Sequence, residues 1–344
     1  MSQKQFHVAV VGATGAVGQQ MLKTLEARNF PIGKLSLLAS ARSAGQEIEF
    51  MGEKHTIKEA TPEAFEGVDI ALFSAGGSIS KSLAPEAVKR GAVVIDNTNA
   101  FRMDEGVPLV VPEVNAEDIA THKGIIANPN CSTIQMVVAL KPIKDRYGLK
   151  KIIASTYQAV SGAGNLAMDE LLRQTKAVID KEEFTPEILP VGSLEKKHQI
   201  AFNAIPQIDV FQENGFTLEE MKMINETKKI MHDPNLEIAT TCVRIPVLTG
   251  HSESVYVELE EDVNLDEVRE LLASAPGIIL EDVPAEQHYP LATRAAGRPE
   301  VFVGRLRKDL HNPKGLHMWI VSDNLLKGAA WNSVQIAEKY IEQL

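Results

Sequence analysis

FHVAVVGATGAVG, residues 6–18, decides the first question about the fold. The apolar run Phe6–Val11 reads as a strand, residues 17–28 carry helical spacing, and glycines at 12, 15 and 18 join them. Glycines in such a turn let the backbone approach a pyrophosphate, and the N-terminus of the helix that follows stabilises its charge. The spacing is G-x-x-G-x-x-G rather than the commoner G-x-G-x-x-G, so a tight turn without a ligand is the alternative. The strands and helices around it favour a dinucleotide, with Gly12, Thr14, Gly15, Ala16 and Val17 as the expected contacts.

Working outward, residues 35–39, 70–74, Val93–Asp96 and Ile125–Ala127 read as further strands, and 82–90 and 133–146 as helices. Strands alternating with helices predict an α/β, Rossmann-type, doubly wound parallel sheet. The remainder reads differently. Lys151–Gln158, 240–247, 253–259, 301–307 and 317–321 are β-rich, with helices at 166–180, 217–232 and Leu265–Ser274 and a Pro-punctuated connection near 184–207. That pattern predicts an α+β catalytic and dimerisation domain. The expected division is 1–130 for nucleotide binding, completed by a C-terminal helix within 323–344, and 131–322 for the second domain.

The 344 residues are 44% hydrophobic and 24% charged, as in ordinary globular proteins. A net charge of −11 with only 5% aromatic residues argues against nucleic acid, which needs a basic face or stacking platforms. No stretch approaches the ~20 apolar residues of a membrane span, and the N-terminus has no signal-peptide pattern. The expected location is the cytoplasm, with no membrane partner. The two cysteines, Cys131 and Cys242, have no metal-ligand spacing and make no disulfide framework; no metal is expected.

The second strand ends in LLASARSAG, where an NAD site would usually carry an acid for the ribose 2′-hydroxyl. Ser40, Arg42 and Ser43 instead suit a 2′-phosphate, which favours NADP(H); an exposed loop arginine is the alternative. SAGGS, with Ser74 and Gly76, ends the next strand and offers backbone to the nicotinamide half, or is a plain glycine loop.

NPNCST, residues 128–133, sets Cys131 at the polar lip of an apolar helix. A helix beginning just after it turns unpaired N–H groups and the positive dipole end toward the sulfur, which lowers a thiol pKa and can stabilise an oxyanion. Cys131 is therefore read as a nucleophile, and Cys242, inside a β-run, as inert. His251, at a Gly-His junction between two strands, is the best-placed proton carrier, with a structural loop histidine as the other reading. Arg102 follows a strand of the first sheet, and Arg244 lies in an apolar strand, where a cation is costly unless an anion pairs with it. Each suits a substrate anion or a salt bridge to a neighbouring acid.

Taken together, VAVVGATGAVG, NPNCST, YQAVSGAG, CVRIPVLTGHSES and VSDNLLKGAAWNSVQIAE, in this order, resemble the shorter bacterial branch of the aspartate-β-semialdehyde dehydrogenase family along nearly the whole chain. The resemblance implies NADPH-dependent reductive dephosphorylation of L-aspartyl 4-phosphate to L-aspartate 4-semialdehyde and phosphate, in lysine, threonine and methionine biosynthesis. It implies a thioester on Cys131, Gln158 orienting substrate near the sulfur and His251 as general acid/base. It assigns the substrate carboxylate to Arg244, the phosphate to Arg102 and Lys222, and the amino group to Glu219, with adjacent Glu220 as the alternative register. Ser161, Gly162 and Asn324 would line the cofactor site. The assembly implied is a homodimer or a dimer of dimers built through the second domain.

N-acetyl-glutamyl-phosphate reductase, which has the same architecture and nucleophile, is the nearest rival; an acid for a free amino group would have no purpose there. A catalytically silent binding homologue is the second, opposed by the joint presence of Cys131, Gln158, Arg244 and His251. A short-chain reductase would want a Tyr-x-x-x-Lys pair near the nicotinamide, and no convincing one follows the nucleotide domain.

Overall fold

A computed structural model describes residues 4–344. The chain divides into two compact units: residues up to Asn130 together with Ala329–Leu344, and Cys131–Gly328.

The first unit contains, in chain order, β1 (Phe6–Val11), α1 (Ala16–Ala27), β2 (Ile32–Ala39), β3 (Glu47–Phe50), β4 (Glu53–Thr56), β5 (Lys58–Glu59), β6 (Ile70–Phe73), α2 (Gly77–Lys89), β7 (Val93–Asp96), α3 (Pro112–Asn115) and β8 (Ile125–Ala127). Six strands form one sheet in the order β5-β2-β1-β6-β7-β8, and every pair in it is parallel. Parallel sheets are covered on both faces, so their strands are nearly all apolar. Alternate residues of β1 show this directly. Val8 and Val10 belong to a core with Met21, Leu22 and Leu25 of α1, whereas Ala9 and Val11 pack with Leu83, Ala84 and Ala87 of α2. The chain leaves β1 toward β2 on one side and reaches β6 on the other. Ligands of doubly wound sheets bind in the crevice beyond the strand ends at such a reversal.

The hairpin β3–β4 had no counterpart in the sequence reading. Its two-residue loop, Met51-Gly52, has positive φ at both positions (51° and 78°). That is the turn whose twist matches a hairpin, formed here without the usual Asn-Gly or Asp-Gly.

The second unit contains α4 (Cys131–Tyr147), β9 (Lys151–Gln158), α5 (Asn165–Asp180), α6 (Leu218–Ile230), β10 (Glu237–Arg244), β11 (His251–Glu258), α7 (Leu265–Ser274), β12 (Ile278–Leu280), α8 (Ala292–Ala295), β13 (Val301–Lys308) and β14 (Gly315–Ser322). Its sheet is mixed, in the order β10-β9-β11-β14-β13-β12. The α4 helix packs on β13, β14, α6 and α7, and α6 packs on β10. Between α5 and α6 the Pro-rich connection forms no strand among the described residues; it bridges the sheet only at Ile205, opposite Arg244.

The C-terminal segment was expected to be one helix within 323–344. It is instead a π-helical turn, Leu326–Ala330, followed by α9 (Trp331–Ile341). In the first unit, Val334, Ile336 and Ala337 of α9 join the α1-side core, and Asn332 donates to Asn128 Oδ1 at 2.7 Å. No helix among the described residues is long and apolar enough to cross a membrane.

Candidate active site

The register of the second sheet assembles a row of polar side chains. Arg244 at the end of β10 lies opposite Gln158 at the end of β9. The next strand, β11, runs antiparallel to β9 with Ser252 opposite Tyr157, which starts β11 at the same end with His251. Arg244, Gln158 and His251 are 4%, 1% and 0% exposed. The sequence reading put His251 at a junction between two strands; it is the first residue of the second of them, paired with Ser322 of β14. Backbone pairing with a strand more than sixty residues away draws it in, which no local pattern reports.

Gln158 Nε2 donates to Glu219 Oε1 at 3.2 Å and lies 3.5 Å from His251 Nε2, while its Oε1 accepts from Thr156 Oγ1 at 2.9 Å. His251 Nδ1 accepts from the Ala159 N–H at 3.0 Å. Burial pushes the His251 pKa down to about 3, the Arg244 charge adds to this and Glu219 opposes it. The imidazole is therefore neutral near pH 7. With Nδ1 accepting from a backbone N–H, the proton of the neutral ring sits on Nε2, which can donate a hydrogen bond.

Arg244 donates from Nη1 to the Ala159 carbonyl at 2.7 Å, yet its Nε is buried without a partner. Burial lowers its pKa, and the charges of Glu219 and Cys131 oppose that, which places the sulfur within electrostatic reach of the guanidinium. An arginine keeps its charge despite such shifts. The salt-bridge alternative for this residue is not realised among the described residues.

Glu219 and Glu220, adjacent on α6, face different tasks. Glu220 closes a capping box with Thr217, accepting the Thr217 N–H at 2.7 Å, and its other oxygen accepts the Cys242 N–H at 3.0 Å. Glu219 faces Gln158, and its second oxygen meets Lys222 Nζ at 3.3 Å. Lys222 also pairs with Asp209 at 2.8 Å, an acid no sequence pattern had singled out. Cys242 is fully buried beside Met223, and burial pushes its thiol pKa up.

Cys131 is partly exposed and is itself the first residue of α4, two positions earlier than the expected helix start. The sulfur thus stands in the first turn, among N–H groups without intrahelical partners. Two glycines keep the space around these groups. A Cβ on Gly328 would lie 2.7 Å from Cys131 Cβ, and one on Gly162 would lie 2.9 Å from Arg244 Nη1 and 3.3 Å from His251 Nε2. Neither steric role has a sequence signal, because each depends on what folds against it. Gly162→Ala is expected to lower kcat/KM about tenfold to a hundredfold, since small misplacements of reacting groups cost that much, with an unchanged melting temperature. Unaltered kinetics would show that Arg244 and His251 tolerate the shift. Ser161 and Asn324, both buried, hydrogen-bond each other, and Asn324 Oδ1 accepts from Gly250 N at 3.0 Å.

In the first unit the glycine turn has the form a pyrophosphate needs. Gly12 has φ of +89°, and a Cβ there would meet Ala75 N and Ser74 C at 2.9 Å; a Cβ on Gly18 would lie 2.1 Å from Gly12 O. The turn closes through Gly15 N to Gly12 O at 3.0 Å. Gly15 caps α1 without any side-chain hydrogen bond, and no acid stands in its first turn. Thr14, Ala16 and Val17 complete this half-exposed turn, and backbone N–H groups there fit an anion. The Ser74 hydroxyl donates to Val11 O at 3.1 Å, while Gly76, with φ of +97°, caps α2. Ser40 and Arg42 are exposed and Ser43 half-buried in the turn after β2. Arg102 is 8% exposed and donates to the carbonyls of Asn128 (2.9 Å) and Asn97 (3.0 Å).

Residues 7–122 match the family model "Semialdehyde dehydrogenase, NAD binding domain", and 140–327 match "Semialdehyde dehydrogenase, dimerisation domain". The chain is similar to the aspartate-semialdehyde dehydrogenase of Bacillus subtilis, 67% identical over 333 residues covering 96% of each chain. It is also similar to that of Aquifex aeolicus, 56% identical over 98% of each. Among solved structures, aspartate semialdehyde dehydrogenase II of Vibrio cholerae, described as complexed with ASA, superposes with a TM-score of 0.93 at 47% identity over 99% of both chains. A parallel nucleotide-binding sheet, a mixed sheet carrying Gln158, Arg244 and His251 with Cys131 at the start of the helix packed on it, and these likenesses over nearly the whole length make the chain a member of the aspartate-semialdehyde dehydrogenase family, with a nicotinamide cofactor.

Proposed function

We propose that this chain catalyses, in the cytoplasm, the NADPH-dependent reductive dephosphorylation of L-aspartyl 4-phosphate to L-aspartate 4-semialdehyde and phosphate, reversibly, in lysine, threonine and methionine biosynthesis. The observation that carries this reading is Arg244: a buried guanidinium with an unpartnered Nε, beside Gln158 and His251. A substrate carboxylate is the anion such a group lacks. Glu219 would meet the substrate amino group, and Lys222 and Arg102 the phosphate.

In the forward direction the Cys131 thiolate attacks the acyl carbon. The carbon–sulfur bond forms, the carbon–oxygen bond to phosphate breaks, and inorganic phosphate leaves a thioester on Cys131. Nicotinamide cofactor, when bound, supplies the hydride that reduces this acyl group. His251 donates a hydrogen bond from its Nε2–H to the carbonyl oxygen and stabilises the negative charge that develops there until that charge collapses and the thiolate departs. Gln158, held by Thr156 and Glu219, orients the acyl group. Gly12, Thr14, Gly15, Ala16, Val17, Ser74, Gly76, Ser161, Gly162 and Asn324 are assigned to the cofactor. Ser40, Arg42 and Ser43, with no acid at the end of β2, favour the 2′-phosphate of NADP. The match to a dimerisation domain supports a homodimer, or a dimer of dimers.

The test is phosphate-dependent reduction of NADP with L-aspartate semialdehyde, with NAD and N-acetylglutamate semialdehyde in parallel. Turnover of the aspartyl aldehyde with NADP, and little with NAD, is expected. Preference for the acetylated aldehyde would move the assignment to N-acetyl-glutamyl-phosphate reductase, and silence with both would leave a binding protein.

A further inference from the structure

One row further into the second sheet, on the face that carries Arg244, Gln158 and His251, lies a buried acid the proposed chemistry does not use. Glu253 is two residues beyond His251 on β11, so both side chains share a face. It is opposite Thr156 of β9 and Ile320 of β14, and Thr156 is opposite Cys242 of β10. Thr156 already supports Gln158 from this row. Glu253 is 0% exposed, and neither carboxyl oxygen has a hydrogen-bond partner; Gln135 Oε1, also buried, has none either. The Gln135 side-chain amide faces the Glu253 carboxyl. Gln135 lies four residues after Cys131, one turn along α4, and its Nε2 donates to the His251 backbone carbonyl at 3.3 Å.

The two Glu253 carboxyl oxygens and Gln135 Oε1 are thus buried acceptors without a hydrogen-bond partner. A buried carboxylate would need a cation or several donors, and no cation pairs with Glu253 among the described residues. One proton on the carboxyl resolves this, because a carboxylic acid donates to an amide oxygen. We propose that Glu253 is a neutral carboxylic acid that donates to Gln135 Oε1, and that this pair is a positioning element locking the strand that carries His251 to the helix that carries Cys131. Burial acts in the same direction, pushing the Glu253 pKa well above the ordinary carboxylate range against the weaker pull of Gln135. The other titratable groups around it are the Cys242 thiol on β10, itself pushed up by burial, His251 on its own strand, and Glu219 and Glu220 on α6.

The positioning claim rests on the assignment of Cys131 and His251 in the proposed reaction. Glu253→Gln keeps a neutral donor of similar shape, whereas Glu253→Leu and Gln135→Leu break the pair. Difference infrared spectra of the intact protein near pH 7 are expected to show the carbonyl stretch of a protonated carboxylic acid, which Glu253→Gln removes. In steady-state assays with aspartate semialdehyde, Glu253→Leu is expected to lose about tenfold to a hundredfold in kcat, with KM nearly unchanged. Glu253→Gln should stay within a few-fold of the parent, and its pH profile for Cys131 alkylation should match the parent's, while that of Glu253→Leu shifts. No acid band attributable to Glu253, or a Glu253→Gln variant as impaired as Glu253→Leu, would overturn the proposal. If Glu253→Leu does not fold, the infrared band and the Glu253→Gln kinetics still decide. A parent protein inactive toward aspartate semialdehyde would sink the reading of the reaction, while the infrared band and the alkylation profiles would still test Glu253.

Discussion

Cys131→Ser is expected to lose at least about 10³-fold in kcat for aspartate semialdehyde oxidation, with little change in folding. Serine is nearly isosteric with cysteine and is welcome at a helix start, so the helix should form unchanged. What disappears is the thiolate. A thiol in the first turn of α4 is stabilised in its ionised form by the N–H groups and dipole there, and the nearby Arg244 charge acts in the same sense. A serine hydroxyl near neutral pH offers almost no alkoxide. The companion observation is alkylation by iodoacetamide. Cys131 should react with a midpoint below the ordinary thiol pKa of about 8.5, while Cys242, buried and with its pKa raised, should stay unmodified in the folded protein. Retained activity in Cys131→Ser, or an equal loss in Cys242→Ser, would remove the thioester from the mechanism.

Arg244→Leu is expected to separate function from stability. Truncating one partner of a buried charge pair costs about 2–5 kcal/mol of binding, which corresponds to about 30-fold to several thousand-fold in kcat/KM, expressed mainly as a higher KM. Arg244→Lys should fall between, because it keeps the charge and loses the planar fork. Without substrate, the guanidinium is buried with its Nε unpartnered. Replacing it by a hydrophobic side chain should therefore leave the melting temperature unchanged or raise it. A KM unaffected by Arg244→Leu would refute the carboxylate assignment. A large fall in melting temperature would show instead that Arg244 is a structural cation.

The residues read as chemical from the sequence differ in how they reach their places. Glycines 12, 15 and 18 and the start of α4 at Cys131 are local features, so their meaning is carried by a dozen neighbouring residues. The glycine turn and the placement of Cys131 at a helix start were accordingly legible, with that start misplaced by two positions. Harder to see was the position of His251, because its burial comes from pairing with β9 and β14. The choice between Glu219 and Glu220 was likewise open. Only the capping box and the Cys242 N–H occupy one of them and leave the other facing Gln158. The β3–β4 hairpin escaped notice because Met51 adopts a positive φ that its residue type does not announce.

Sequence alone determined a parallel α/β unit followed by a mixed one, and supplied the residue types read as chemical, because hydrophobic period and turn composition act over a few residues. Tertiary structure decided which of those residues meet. The cross-strand register of β10, β9 and β11 sets Arg244, Gln158 and His251 side by side, with Thr156 and Glu253 in the row beneath them. Gly162 keeps space open beside Arg244 and His251, and Gly328 keeps it open beside Cys131. Those placements are contacts between residues tens to hundreds of positions apart, and only the packed sheet and helices bring them within a few ångströms.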